Sequence, residues 1–520
     1  MGFERNMNHW EFTKRDGARS ARKGAWLRGL GVFLAVLIFI LAMILVAAVA
    51  WIDKTFGIQF DELLYTMTTP LKGSDTGLVT QCIHASGTQI SLVLLYLFAL
   101  AAVLVAQKHY TAVYHSEKKD RDLWKLCRRA LVCVSGAALV WAAVFAEQTF
   151  QIIEYVQMRM SPSLLYEENY VDPLDVAITG EGKNLIYIYL ESMETTYASQ
   201  AAGGRQPEHN YMAGLTQLAN ENLSFSNTEK LGGFHTINGT TWTMGALLAT
   251  TSGIPYAFPT DYNSMGKWER FASGLTSLGD ILEEKGYQNE FLCGSDADFA
   301  GRRDYFEQHG SYEIFDLFTA REEGYVPPDY KVWWGFEDKY LYEIAKDELT
   351  ELSKGGKPFN FTMLTVDTHH VNGYVCTLCG NEYDEITANV VSCADRQVME
   401  FIAWCKQQDF YEDSVIVISG DHPRMDHCLV ENVEYYDRTV YNCFLNSARE
   451  PAGSTVNREF TAMDMFPTIL SAMGFDIQGN RLGLGVDLFS GEETLCEKMT
   501  FEGLEAETRK YSNYYVKNFA

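Results

Sequence analysis

The sequence predicts an α/β fold carried behind N-terminal membrane helices. Three observations predict it. Within the first 150 residues, three apolar runs, 30–51, 90–106 and 130–146, have the composition of membrane-crossing helices. From Asn184 onward, short apolar strands that do not alternate with polar residues are interleaved with helical patterns. That is the signature of a largely parallel central sheet flanked by helices. Finally, several of these strands run directly into Asp, Glu or His, at the strand ends where α/β sheets gather ligands.

The first element is a membrane anchor, 1–147. Run 30–51 holds no charged residue. About 22 residues at 1.5 Å each span a hydrocarbon core of about 30 Å. The two later runs are shorter, and a buried helix of a soluble protein is the plainer alternative for each. A cleaved signal peptide fits the first run poorly, because a long segment precedes it and two more apolar runs follow. Lys14, Arg15, Arg19, Arg22, Lys23 and Arg28 precede the first span. Lys108, Lys118, Lys119, Arg121, Lys125, Arg128 and Arg129 lie between the second and third. The loop between spans one and two has only Lys72 beyond the flanking Lys54. Positive-inside placement therefore puts the N-terminus in the cytoplasm and everything after the third span outside the cell membrane.

The segment 148–182 reads as a juxtamembrane connector, and 183–520 as the extracytoplasmic catalytic domain. Its strands are expected at 185–190, 289–293, 359–366, 414–419 and 440–445. Helices are expected at 211–220, 242–249, 275–284, 340–352, 390–408 and 462–473. No internal repeat or low-complexity segment interrupts this order.

Charge separates the two parts. The chain carries −26 overall; residues 1–150 hold 16 basic and 11 acidic side chains, +5, which leaves −31 for the remainder. A surface that acidic excludes nucleic acid as a partner. An anionic lipid headgroup stays admissible, because a bound metal inverts the local field. Eight of the 11 cysteines fall in the exported part, which suggests disulfides of unknown pairing. Cys376-Thr-Leu-Cys379 hints at zinc, but no second CxxC or His pair at ribbon spacing accompanies it.

The chemistry lies in a combination of residues. Asn184-Leu-Ile-Tyr-Ile-Tyr-Leu190 runs into Glu191, and Ser414-Val-Ile-Val-Ile-Ser419 runs through Gly420 into Asp421-His422. Between them, Gly239-Thr240-Thr241-Trp242-Thr243 opens a helical segment. Singly these are a helix cap, a turn and an N-cap. Together, two carboxylates, an imidazole and a hydroxyl can share one divalent cation, with Mn²⁺ suiting the donors best and Zn²⁺ or Mg²⁺ admissible. Thr240, after Gly239 and at the helix start, is the expected nucleophile, with Thr241 beside it. A cation lowers the pKa of such a hydroxyl, and a helix N-terminus favours phosphoryl oxygens.

These motifs, together with Asp367-Thr-His369, Asp464-Met-Phe-Pro-Thr468 and Gly483-Leu-Gly-Val-Asp-Leu-Phe489, resemble the lipoteichoic acid synthase and phosphoglycerol transferase family. That family lies in the sulfatase branch of the alkaline phosphatase superfamily, and the resemblance runs from about residue 183 to 490. It implies that Glu191, Thr240, Asp421 and His422 bind the metal and that Thr240 forms the covalent intermediate. It also implies that His369, or His370 next to it, contacts the phosphoglycerol group. Asp296 and Arg302 fit the family's substrate-binding segment, with Arg303 the alternative to Arg302. The implied reaction moves glycerol phosphate from phosphatidylglycerol to a hydroxyl of a glycan, glycolipid or polyglycerolphosphate acceptor. Phosphoethanolamine transfer, or hydrolysis of the sulfatase or phosphatase type, is the alternative. Lipoteichoic acid synthases have Phe-Trp-Asn-Arg where this chain has Phe299-Ala-Gly-Arg302, and five membrane helices where this chain has three runs. Both departures, together with Trp242, lean toward the phosphoglycerol transferases that decorate periplasmic glucans. A Cys/Ser-x-Pro-x-Arg sequence, needed for a formylglycine sulfatase, is absent around Thr240.

Overall fold

The computed structural model describes residues 3–56, 60–68, 77–114, 117–258 and 271–519. Lys72 falls outside them, as do the side chains of the basic flanks at 14–23, Arg28, Lys108, Lys118, Lys119 and Arg121. The chain forms two compact units: Met1–Lys54 with Thr76–Ile153, and Thr55–Asp75 with Glu154–Ala520.

Three helices, all but the last two residues of the first lying in the first unit, are long and apolar enough to cross a membrane, as a multi-pass membrane protein requires: Gly29–Phe56, Gly87–Ala106 and Lys125–Phe150. Phe39, Ala42, Met43 and Val46 pack with Ala142, and Phe39 stacks on Tyr96 with centroids 4.0 Å apart.

The second unit is built on a six-stranded sheet. After a short β1 (Ile178–Thr179) come β2 (Asn184–Leu190), β3 (Gln288–Cys293), β4 (Glu313–Phe315), β5 (Phe359–Leu364), β6 (Ser414–Gly420) and β7 (Asn442–Leu445). Their order is β4-β3-β5-β2-β6-β7. All neighbours are parallel except β7, which runs antiparallel to β6 at the edge. The unalternating apolar pattern has a direct cause in β2. Leu185, Tyr187 and Tyr189 enter the core on one face, and Ile186, Ile188 and Leu190 enter the core on the other. Each such side chain, fully buried, contributes about 1.5–3 kcal/mol.

Helices cover both faces. Thr243–Ser252 and Met465–Met473 supply Met244, Leu247, Leu248, Phe466 and Ile469 to the first. Asp338–Lys354 and Ile386–Cys405 supply Leu341, Ile344, Val391, Val398 and Phe401 to the second. The expected helix at 275–284 begins later, at Leu278, where Ser277 and Asp280 form a reciprocal capping box. The short β4 was not expected from the sequence, since three residues carry too little pattern to announce a strand. The expected disulfides are not formed: all 11 cysteines are described and all are free thiols, with Cys293, Cys405, Cys443 and Cys496 buried in the core.

Candidate active site

Parallel register brings the two carboxylates together. Leu190 pairs with Gly420 at the ends of β2 and β6, so the next residues, Glu191 and Asp421, emerge side by side. Gly420 permits this junction, because a Cβ there would sit 2.1 Å from the Met193 carbonyl oxygen. Glu191 and Asp421 are 2% and 0% exposed, and His422 is 1% exposed. Their ligand atoms lie within 4.8 Å of one another, with His422 Nε2 3.4 Å from Asp421 Oδ2 and 3.7 Å from Glu191 Oε1.

Each side chain is held from behind. The amides of Ser192 and His422 both donate to Asp421 Oδ1 at 2.8 Å. Ser192 Oγ donates to Glu191 Oε1 at 2.7 Å. His422 Nδ1 lies 2.7 Å from the Pro423 carbonyl oxygen. Only a protonated Nδ1 makes that bond, so in the neutral ring the Nε2 lone pair faces the carboxylates, as in a metal-binding histidine.

The electrostatics call for a cation. Burial, then the Glu191 carboxylate beside it, pushes the Asp421 carboxyl above its ordinary range. Burial alone would depress His422, but Asp421 and Glu191 outweigh it and raise that imidazole. Asp421 Oδ2 is buried with no hydrogen-bond partner, and an unsatisfied carboxylate oxygen at that depth is costly. Two carboxylates, one imidazole and an orphaned oxygen fit a divalent ion.

The structure does not bring Thr240 to this cluster. Gly239 takes a left-handed turn (φ 85°), and Thr240 Oγ1 closes it by donating to the Ile237 carbonyl and accepting from the Ile237 amide, both at 2.9 Å. Its hydroxyl is consumed by that turn. Thr243 takes the place instead, with Oγ1 3.4 Å from Glu191 Oε2 and 3.4 Å from His422 Nε2. The helix Thr243–Ser252 starts there because Trp242 is extended (φ −136°, ψ 160°), and no side chain caps its first amides. A threonine at the first helical position was the available signal, three residues beyond the one expected.

The substrate-side residues divide. His369 and Arg302 line one cleft with Glu191, Thr243, Phe299 and Trp334. Burial depresses His369 to about 4, so it is neutral, and its Nδ1 meets the His370 carbonyl at 2.8 Å. Arg302 uses Nη2 on Ser295 Oγ (3.0 Å) and the Asp296 carbonyl (2.9 Å), and Nε on the Phe299 carbonyl (3.1 Å). Asp296 is buried, but its carboxylate accepts from the Asp298 amide at 2.9 Å and does not line this cleft. Arg303 is engaged elsewhere, paired with Asp298 and Asp316 at 2.7 Å each. Beneath His369, buried Arg424 donates to the Thr368 carbonyl (2.7 Å) and pairs with Asp426.

One contributor had no sequence signal. The helix Phe60–Thr68 belongs to the same unit and packs on the loop preceding Thr243. Thr241 Oγ1 donates to Glu62, and Asn238 Nδ2 donates to Asp61. Tyr65 stacks on Trp242 with centroids 4.9 Å apart and donates to the Ala300 carbonyl at 3.4 Å.

The Sulfatase family model matches residues 183–475. Phosphoglycerol transferase I of Salmonella choleraesuis (strain SC-B67) is 32% identical over 447 residues, covering 83% of this chain and 53% of the relative. Phosphoglycerol transferase I of Salmonella typhi matches with the same identity and coverage. The chain thus spans about half the length of the curated relatives it matches. Among solved structures, the lipoteichoic acid synthase LtaP from Listeria monocytogenes is similar at 19% identity and a TM-score of 0.48, over 60% of this chain and 79% of that one. The phosphoethanolamine transferase EptA from Neisseria meningitidis is similar at 14% identity and a TM-score of 0.45, over 85% and 84%.

Proposed function

This chain belongs to the Sulfatase family, and from that membership we propose that it is a metal-dependent phosphoglycerol transferase anchored in the membrane, with its catalytic unit outside the cytoplasm. The observation that carries the reading is the position of Thr243 Oγ1, 3.4 Å from both Glu191 Oε2 and His422 Nε2 at an uncapped helix N-terminus. The relatives named phosphoglycerol transferase I supply the substrate class.

Glu191, Asp421 and His422 would hold one divalent ion, Mn²⁺ or Zn²⁺ by donor type. When bound, it supplies the positive charge that makes an adjacent hydroxyl acidic and steadies phosphoryl oxygens. Thr243 Oγ forms a bond to the phosphorus of phosphatidylglycerol as the bond to the diacylglycerol oxygen breaks. The threonine proton ends on that departing oxygen, and glycerophosphate remains esterified to Thr243. In the second half, an acceptor hydroxyl on a glycan, glycolipid or growing polymer attacks the same phosphorus, and Thr243 Oγ leaves and regains a proton. The free amides at the start of the helix face the phosphoryl oxygens. Neutral His369 offers Nε2 as an acceptor for a glycerol hydroxyl, and Arg302 has Nη1 uncommitted for the phosphate.

The test is donor turnover. Full-length protein with Mn²⁺ should release diacylglycerol from labelled phosphatidylglycerol, and Thr243→Ala should not. Turnover of phosphatidylethanolamine but not phosphatidylglycerol would move the assignment to phosphoethanolamine transfer.

A further inference from the structure

Three thiols gather outside the residues that line the Thr243 cleft. Cys376 Sγ lies 3.8 Å from Cys379 Sγ and 3.8 Å from Cys393 Sγ, and all three sulfurs lie within 4.8 Å of one another. These distances are far from the roughly 2.05 Å of a disulfide. They match a different bond. Zinc at about 2.3 Å from each of several thiolates, at the tetrahedral angle, separates the sulfurs by about 3.8 Å.

We propose that Cys376, Cys379 and Cys393 form a zinc site with three thiolate ligands. The local backbone is shaped for it. The Cys379 amide donates to the Cys376 carbonyl at 3.1 Å, closing a tight turn that points both sulfurs the same way. The Leu378 amide donates to Cys376 Sγ at 3.4 Å, and Gln397 Nε2 donates to Cys393 Sγ at 3.5 Å. Such donors favour thiolate over thiol. Cys376 and Cys393 are buried and Cys379 is half-buried, so an ion has a route in. Among the described residues no fourth His, Cys, Asp or Glu completes the group, which leaves the fourth tetrahedral position to a water molecule.

The placement gives the ion something to do. Cys376 and Cys379 sit in the long irregular connection between β5 and the helix Ile386–Cys405, which carries Cys393. That connection also carries His369. Irregular segments of this length are rare in compact domains without a device that orders them. Zinc would clamp its far half to the helix.

The experiment uses full-length protein purified in detergent without chelator or reductant, with zinc as the probe. Asp421→Ala/His422→Ala removes the other candidate metal site, so the two sites are counted separately. About one zinc per chain should remain in that double variant, with sulfur scatterers at about 2.3 Å in zinc-edge absorption. Adding Cys393→Ser should lower zinc affinity at least about tenfold. A disulfide joining any two of the three cysteines in non-reducing peptide maps would overturn the proposal, as would zinc without sulfur neighbours. If the Cys393→Ser chain does not fold, the absorption spectrum and peptide map of the double variant still decide.

Discussion

Thr243 and His422 face each other across 3.4 Å, hydroxyl to Nε2, while the His422 Nδ1 is fixed on the Pro423 carbonyl at 2.7 Å. The ring therefore cannot turn away without breaking its own backbone bond. A hydroxyl and an imidazole nitrogen are held in mutual reach by two local constraints, a helix start and a strand-end turn.

Exchanging the two threonines separates their roles. Thr243→Ala should lower diacylglycerol release by at least about 10³-fold with no change in folding. Thr240→Val should lose the turn bonds to Ile237 and cost about 1–2 kcal/mol of stability, read as a lower melting temperature. Thr240→Ser should stay close to wild type in both assays. Full activity in Thr243→Ala would remove the covalent mechanism.

Metal binding should show in stability as well as in turnover. Asp421 Oδ2 is buried and accepts no hydrogen bond, so a cation there would offset a cost of folding. A divalent ion at 100 times its dissociation constant should stabilise the protein by about 2.7 kcal/mol. Asp421→Ala should abolish that thermal shift at the cluster, and an undiminished shift in the variant would place the ion elsewhere.

Glu62 should matter although it lies far from Thr243 in sequence. Its carboxylate receives the Thr241 hydroxyl, and its charge is among those that raise His422. Glu62→Ala leaves Thr241 unpaired, at about 1–3 kcal/mol. Turnover should fall by roughly 10- to 100-fold, with the circular-dichroism spectrum unchanged.

Arg424 supports the loop beneath His369. Arg424→Ala would leave the Asp426 carboxylate, 3% exposed, without its partner, a loss of about 3–5 kcal/mol. Arg424→Lys should not rescue it, because a single ammonium cannot serve both the Thr368 carbonyl and two carboxylate oxygens. Urea unfolding of the three proteins would measure this.

Glu290 on β3 predicts a pH dependence. Burial, then the nearby Glu348 and Glu313 carboxylates, raises its carboxyl well above its ordinary 4.5. A raised folded-state value means the contribution to stability is fully present below pH 4.5 and is lost as pH rises toward the folded value. Glu290→Gln should therefore be more stable than wild type at pH 8, with the advantage vanishing near pH 4. Melting temperatures across that range check the sign, and each kcal/mol corresponds to about 2–4 °C.

Much of the sheet was legible because buried parallel strands are apolar on both faces, as β2 shows with Leu185 through Leu190. Glu191, Asp421 and His422 followed from it, since the residue after a strand end has only one place to go. The threonine beside that cluster was not fixed by the same logic. A helix start is set by where the backbone turns, and the extended Trp242 moved it past Thr240. The approach of Cys393 to Cys376 and Cys379 was not legible, because it lies 14 residues beyond Cys379 on a helix, outside any short spacing rule. The Phe60–Thr68 helix escaped for a physical reason too. Its contacts, Glu62 to Thr241 and Asp61 to Asn238, span 179 and 177 residues, and nothing local encodes them.

That last helix changes what a soluble fragment would be. A fragment beginning at Glu154, whether shed by a protease or produced for inhibitor screening, would keep Thr243 with Glu191, Asp421 and His422. It would lack Asp61, Glu62 and Tyr65, and so would leave bare the Trp242 and Tyr256 rings that Tyr65 covers. Compounds selected against such a fragment would be selected partly for a greasy hollow that the intact chain fills with its own side chain.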